Sequence, residues 1–439
     1  MSKLKHVIAV ATAAALSTTL VACGDSAGGG DTEKTADGAV VVDFWHSASG
    51  AAATTLEEIV NDFNNEHKGE IEVQASYQGS YEDAIAKFIA SVQTNDLPAL
   101  LQASDVQTAY LRDAGVAAPA QELGGDYNFD NLMDVVGNYY TFDGKMYSMP
   151  FMVSQPAIYT NDTELTAAGV SHDDLSTVNG LLDAAEKIHD KTGKAGLTFH
   201  HSGWYMEQFQ SMTGQYMCSP ENGVDTAATE FNLTSPETEA LWKRIGELYS
   251  KGAIHNPGND GSAATGAFLA DQAAIQLNSS GNYGNIVSAN PNFDWSILSL
   301  PRDTDEAGAV PGGNSLWAIK EGHSKDTQQA AWEFMQYVGT DEVQKKIFDQ
   351  TGYLPTSKGA GESLADLTKQ QQSLIAQIQN TPSNKVTAGC KTGALNSARN
   401  SYQSAMSSIA NGSDPKTALE EAQQGANAEI TSYNERAGK

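Results

Sequence analysis

Residues 40–101 read VVVDFWHSASGAAATTLEEIVNDFNNEHKGEIEVQASYQGSYEDAIAKFIASVQTNDLPALL. Val40 to Trp45 is a short apolar run of strand character, and Leu56, Ile59, Val60 and Phe63 follow it at i, i+3, i+4 and i+7, the spacing of one helix face. Ile71 to Ala75 is a second strand. Ile85, Phe88, Ile89 and Val92 repeat the helical spacing, and Leu97 to Leu101 is strand again. This alternation implies a parallel sheet covered by helices, with ligands taken at the carboxyl ends of the strands. Asp105 stands on such an end, and Tyr81 opens the neighbouring helix.

Further along, Asp143-Gly144 marks a turn, and Met146 to Thr160 is a long extended stretch containing Pro150, Ser154 and Pro156, suited to crossing into a second lobe. Helical segments are expected around Leu181 to His189, Trp204 to Met212 and after Ser235-Pro236, a cap followed by a first-turn proline. Ala273 to Leu277 and Trp295 to Leu300 read as strands, the former running into Ser279 and a new helix. The chain would return through a strand at Gly312 to Ile319 and a single helix from Asp326 to Gln350. It would cross again at the Thr351-Gly352-Tyr353-Leu354-Pro355 loop and finish in three mostly helical segments. Gly352 suits a helix C-cap and Pro355 cannot continue a helix, so Tyr353 is presented on a loop.

At 439 residues the chain is too long for one core, and two lobes are expected. Its 26 basic and 54 acidic residues give a net charge of −28, which argues against nucleic acid and against charge-driven binding to anionic lipid. At the N-terminus, Lys3, Lys5 and His6 precede an apolar run from Val7 to Ala22, too short for a comfortable span and typical of an export signal. It ends Leu20-Val21-Ala22-Cys23, a pattern resembling a bacterial lipobox in which the cysteine is lipidated. The expected division is a signal peptide over 1–22, a flexible tether over 23–38 rich in glycine, one lobe from 39–153 plus 312–355, and the other from 154–311 plus 356–439. Cys218 and Cys390 remain, and their spacing leaves open whether they are paired.

Phe44-Trp45-His46-Ser47, Tyr77-Gln78-Gly79-Ser80-Tyr81-Glu82, Leu101-Gln102 through Asp105-Val106, Gly312-Gly313-Asn314-Ser315-Leu316-Trp317 and Thr351-Gly352-Tyr353-Leu354-Pro355 occur in this order. Together they resemble the extracellular solute-binding proteins of ABC importers, nearest to the glycerol-3-phosphate binders. The resemblance covers nearly the whole chain after the tether. It implies an α/β, type II periplasmic-binding-protein-like fold of two lobes joined by hinge strands, closing on a ligand between them. It also implies a monomeric receptor at the outer face of the cell membrane or in the periplasm, held by its lipid anchor, with permease subunits as partners and neither metal nor cofactor.

Residue by residue, the resemblance assigns ligand contacts to Tyr81, Asp105, Ser154, Trp204, Ser279, Gly313 and Tyr353. It adds Arg399, placed by its spacing to Gly412 and the run Ala418 to Ala422. His201 stands where the family has a further tryptophan, and the smaller ring implies a wider mouth that admits a glycerophosphodiester such as glycerophosphocholine. A guanidinium grips phosphate bidentately, and Ser279-Ser280 at a helix start would add donors to the same charge. The alternative is an oligosaccharide receptor in which aromatic rings stack on sugar faces. A secreted glycosidase-like enzyme ranks lower: the sequence holds no zinc-protease, nucleophile-elbow, phosphate-loop or dinucleotide motif.

Overall fold

A computed structural model describes residues 32–438 except 95 and 126. The expected signal peptide and Cys23 lie outside the described residues. The last part of the expected tether does not hang free. Lys34 pairs with Val40, Val41 N–H donates to the Glu33 carbonyl at 3.0 Å, and the Thr32 and Ser324 hydroxyls lie 2.6 Å apart, so 32–38 folds back along the first strand.

Ten strands build two five-stranded sheets. They are β1 Val40–His46, β2 Ile71–Tyr77, β3 Leu100–Ser104, β4 Met149–Ser154, β5 Pro156–Asn161, β6 Ala195–Thr198, β7 Ile254–His255, β8 Ala273–Ser279, β9 Trp295–Leu298 and β10 Gly312–Ala318. The first sheet runs β2-β1-β3-β10-β4 and the second β7-β6-β8-β5-β9. The opening β-α-β-α-β unit forms as expected, with β1, β2 and β3 parallel and the helices Ala51–Glu66 and Tyr81–Thr94 between them. Neither sheet is wholly parallel. In the first, β10 is antiparallel to both neighbours, and in the second β5 is antiparallel to β8 and β9.

The extended stretch expected over Met146 to Thr160 is two strands in different sheets, β4 and β5, with Gln155 between them. The single helix expected over Asp326 to Gln350 is also two, Lys325–Val338 and Asp341–Thr351. Thr340 caps the second through its side chain on Val343 N–H, and a residue bonding its own backbone in this way favours a new start over continuation. After Pro355 there are four helices: Lys358–Ser363, Lys369–Asn380, Leu395–Ala410 and Pro415–Ala437. Among the described residues no helix is long and apolar enough to cross a membrane.

Cys218 and Cys390 form a disulfide, with Cα atoms 5.6 Å apart. It pins the segment before the helix Leu395–Ala410 to the second lobe. From that segment Lys391 Nζ reaches the last carbonyls of the helix Asp134–Tyr140 and its exit, donating at 2.8 Å to both Asn138 and Thr141. A cation at a helix C-terminus is favourably placed against the helix dipole. Phe142 lies between Lys391 Nζ at 4.9 Å and Arg112 Cζ at 4.8 Å.

Gly313 shows how tightly β10 is seated. Its φ is +96°, and a Cβ there would lie 2.0 Å from the Met152 carbonyl oxygen of β4. Backbone on both sides cannot yield, so Gly313→Ala is expected to cost about 2–4 kcal/mol. Thermal unfolding checks this, and a midpoint within about 1 °C of the parent would contradict it.

Candidate functional site

The register of β10 assembles one end of the first sheet. Asn314 sits opposite Ser104, and Gly312 opposite Ser154, which brings the ends of β3 and β4 to the same edge as the glycine pair. Ser104 caps the short turn that follows, Asp105–Gln107, in a capping box with Gln107, so Asp105 is the first residue of the turn and not its cap. The buried Asp105 carboxylate accepts from Ser104 Oγ and from Tyr139 Oη, each at 2.9 Å. Asn314 Nδ2 donates to Tyr81 Oη at 2.9 Å.

The second lobe supplies the opposing wall. Gly203 begins the helix Gly203–Met212, and a Cβ on it would lie 2.6 Å from Arg399 Cγ, so the glycine lets this helix close against Leu395–Ala410. That approach sets Arg399 beside Glu207. Arg399 donates from Nε and Nη2 to the two Glu207 carboxylate oxygens, both at 2.7 Å, and Tyr402 Oη donates to the same carboxylate at 2.6 Å. Arg399 Nη2 lies 4.0 Å from Asp105 Oδ2 on the first lobe. Burial opposes the charge of Arg399, but the neighbouring Glu207 and Asp105 carboxylates outweigh it and hold the guanidinium protonated. Burial raises the Asp105 pKa, with Arg399 working against the rise.

Trp204 lies over the glycine pair: its Nε1 and Ser154 Oγ are 3.0 and 3.3 Å from where a Gly312 Cβ would stand. The Tyr353 ring lies against Gly281, whose Cβ would be 2.8 Å from the phenol carbon Cζ. Trp204 Nε1 and Tyr140 Oη are buried with no hydrogen-bond partner, an expensive arrangement for a donor. The phenols of Tyr81, Tyr139, Tyr140 and Tyr353 are all pushed up by burial and by nearby charge, and they stay neutral donors.

Of the sequence-expected residues, Arg399 lies 4.0 Å from Asp105, Trp204 and Ser154 stand beside the Gly312-Gly313 pair, and Tyr81 and Tyr353 are near enough to Asp105 to feel its charge. Ser279 stands next to the Ser280-Gly281 turn that meets Tyr353, but the backbone donors expected there are already used. Ser279 Oγ accepts the Gly281 N–H at 3.1 Å, and Ser280 N–H donates to the Gln155 carbonyl at 2.8 Å.

The structure does not bring His201 to this group. Its ring is buried in the second lobe, with Nδ1 3.0 Å from Ser407 Oγ and Nε2 3.4 Å from Tyr249 Oη. Ser407 is two turns beyond Arg399, about 12 Å along the helix axis. Burial pulls the His201 pKa down to about 4, so it is neutral at pH 7. The expected widening of the mouth by this residue has no counterpart in that position.

Glu207, Tyr139, Tyr140, Tyr402 and Asn314 were not read from the sequence. Glu207 carried a usable signal: it is the one charged residue in the helix GWYMEQFQSM, three positions after Trp204 on the same face.

The family model described as bacterial extracellular solute-binding protein matches residues 58–376. The chain is 29% identical over 342 residues to the sn-glycerol-3-phosphate-binding periplasmic protein of Yersinia enterocolitica, covering 75% of this chain and 76% of that protein. Its fold is similar to that of UgpB from Mycobacterium tuberculosis, solved in complex with glycerophosphocholine, with a TM-score of 0.77 at 20% identity, covering 90% of this chain and 99% of that one. It is also similar to the GacH receptor of Streptomyces glaucescens, solved unliganded and in complex with acarbose, with a TM-score of 0.73 at 19% identity and coverage of 90% and 99%.

Proposed function

The chain belongs to the bacterial extracellular solute-binding protein family, and from that footing we propose that it is the receptor of an ABC importer which closes two lobes on glycerol-3-phosphate or a glycerophosphodiester. The observation that carries this reading is Arg399, a guanidinium held at the facing surfaces of the lobes, 4.0 Å from Asp105 across the gap. A phosphate oxygen on Arg399 and a glycerol hydroxyl on Asp105 would tie the lobes through the ligand itself, which is what hinge closure requires. Tyr81, Tyr353, Ser154 and the free Nε1 of Trp204 would complete the shell. The names of the curated relatives and the ligand of the mycobacterial structure support the same class. The receptor is monomeric, delivers its cargo to membrane permease subunits, and catalyses nothing. Its moving lobes are 39–153 with 312–355 and 154–311 with 356–439, and Cys23 carries the lipid that anchors it outside the membrane.

An oligosaccharide receptor is the second reading, favoured by the fact that Arg399 already spends two donors on Glu207. Calorimetric titration of the purified protein with glycerol-3-phosphate, glycerophosphocholine and a maltooligosaccharide separates the two. Binding near micromolar, about −8 kcal/mol, is expected for at least one phosphate compound, with no heat from the sugar. Binding of the sugar alone would overturn the phosphate reading and leave the fold untouched.

A further inference from the structure

The carboxylate of Glu207 has a consequence for which phosphate the cleft accepts. It is fixed by three donors, two from Arg399 and one from Tyr402 Oη, so it cannot swing aside when a ligand arrives. Among the described residues no other lysine or arginine pairs with Glu207 or with Asp105. The charged groups in direct contact here are therefore one guanidinium and two carboxylates, with Lys391 set back behind Asp105. We infer that Glu207 is the charge-selectivity residue of this receptor: by offsetting the charge of Arg399 it penalises a doubly charged phosphate monoester more than a singly charged phosphodiester. This inference rests on the phosphate reading proposed above.

An alkyl phosphate monoester loses its second proton near pH 6, so at neutral pH it brings close to two negative charges. A diester has no second proton to lose and brings one. Beside a guanidinium alone, the extra charge would be rewarded. Beside a guanidinium already gripped at both oxygens of Glu207, and with Asp105 at 4.0 Å, it meets net repulsion in a site screened from water. The donors that remain, the phenols and the Trp204 indole, stabilise either ligand without asking for a second charge.

Two measurements test this with glycerol-3-phosphate and glycerophosphoglycerol, a diester that carries no cation of its own. First, Kd for both is measured on the parent and on Glu207→Gln, which keeps shape and one acceptor. The parent is expected to favour the diester, and the variant to shift that ratio by about tenfold or more toward the monoester. A ratio unchanged, even if both affinities fall together, means that Glu207 is only structural and overturns the inference.

Second, the parent alone is titrated between about pH 7 and pH 5.5, across the second monoester ionisation. Its preference for the diester is expected to shrink as the monoester gains its proton, and a constant ratio overturns the inference even where the variant does not fold. The diester does not titrate in this range, so its own affinity reports what the protein's groups do to a ligand of single charge. Asp105 and Glu207 are the acids there, the phenols stay protonated, and His201 is pulled down to about 4. Lys391, behind Asp105, is lowered by burial to about 8 and stays charged throughout. If the parent binds neither phosphate compound, it is the phosphate reading that fails, and the result is distinct from an unshifted ratio.

Discussion

Arg399→Ala is expected to raise Kd for the phosphate ligand at least about 100-fold, roughly 2.7 kcal/mol, with Arg399→Lys falling between that variant and the parent. Lysine restores the charge but not the fork that reaches two oxygens at once. The alanine variant also strands Glu207 and Asp105 as buried carboxylates without a counter-charge, and breaking a buried pair in this way costs about 3–5 kcal/mol of stability. The stability loss has a definite pH signature. Burial already raises Asp105, and Arg399 is what opposes the rise, so without it the folded-state pKa climbs further. A raised carboxylate favours folding at low pH and loses that contribution as pH rises through the folded value. The deficit of Arg399→Ala against the parent should therefore be largest near neutrality and smallest near about pH 4. Denaturant midpoints at several pH values read this, and calorimetry reads the affinity. Affinity for phosphate within about twofold of the parent would remove Arg399 from the site. Under the sugar reading only a partial loss is expected, because hydroxyls can be held by the remaining donors.

Reduction of the Cys218–Cys390 disulfide is the second large expected effect. The bridge closes a loop over a sequence separation of 172 residues, and on the chain-entropy model a closure of that length contributes about 5 kcal/mol. What it holds is specific: Cys390 adjoins Lys391, whose ammonium caps the helix Asp134–Tyr140 and lies against Phe142. Without the bridge the segment can leave that seat, and the first lobe loses a partner along with the second. Unfolding midpoints with and without reductant, and of a Cys218→Ala/Cys390→Ala double variant, should fall together well below the oxidised parent. Coincident midpoints for oxidised and reduced protein would show that packing alone holds the segment.

The opening β-α-β-α-β unit was legible because Leu56, Ile59 and Phe63 could be aligned on one buried face. In the second helix Ile85 and Phe88 are buried, but Ile89 and Val92, expected on the same face, are exposed. Gly313 and Tyr353 were legible as loop and glycine signals. Their association with Asp105 came from the resemblance alone, since spacing does not show the antiparallel register of β10 beside β3. The break at Gly339-Thr340 was written in the sequence as a threonine cap, but the apolar spacing of Phe334, Val338 and Val343 runs straight through it. His201 was misplaced because alignment to a family position says nothing of which way a ring turns, and here Ser407 and Tyr249 take both nitrogens. Glu207 was passed over because glutamates are abundant in this chain and are normally solvated. Here Arg399 and Tyr402, brought close by Gly203, hold this one in a buried place.

The place of β10 has one more consequence, in the order in which the molecule can be made. β10 lies between β3 and β4 although it follows both of them, and the whole second sheet, in the chain. During synthesis the first sheet therefore stays in two pieces until Ala318 has emerged. The second sheet has all its strands by Leu298, but the helices Gly203–Met212 and Pro236–Lys251 wait for Leu395–Ala410 and Pro415–Ala437 to pack against them. Contacts of such long separation form slowly. A nascent chain is thus kept from completing either half early. A fragment ending before Gly312 would leave β3 and β4 with open edges prone to pairing with other chains.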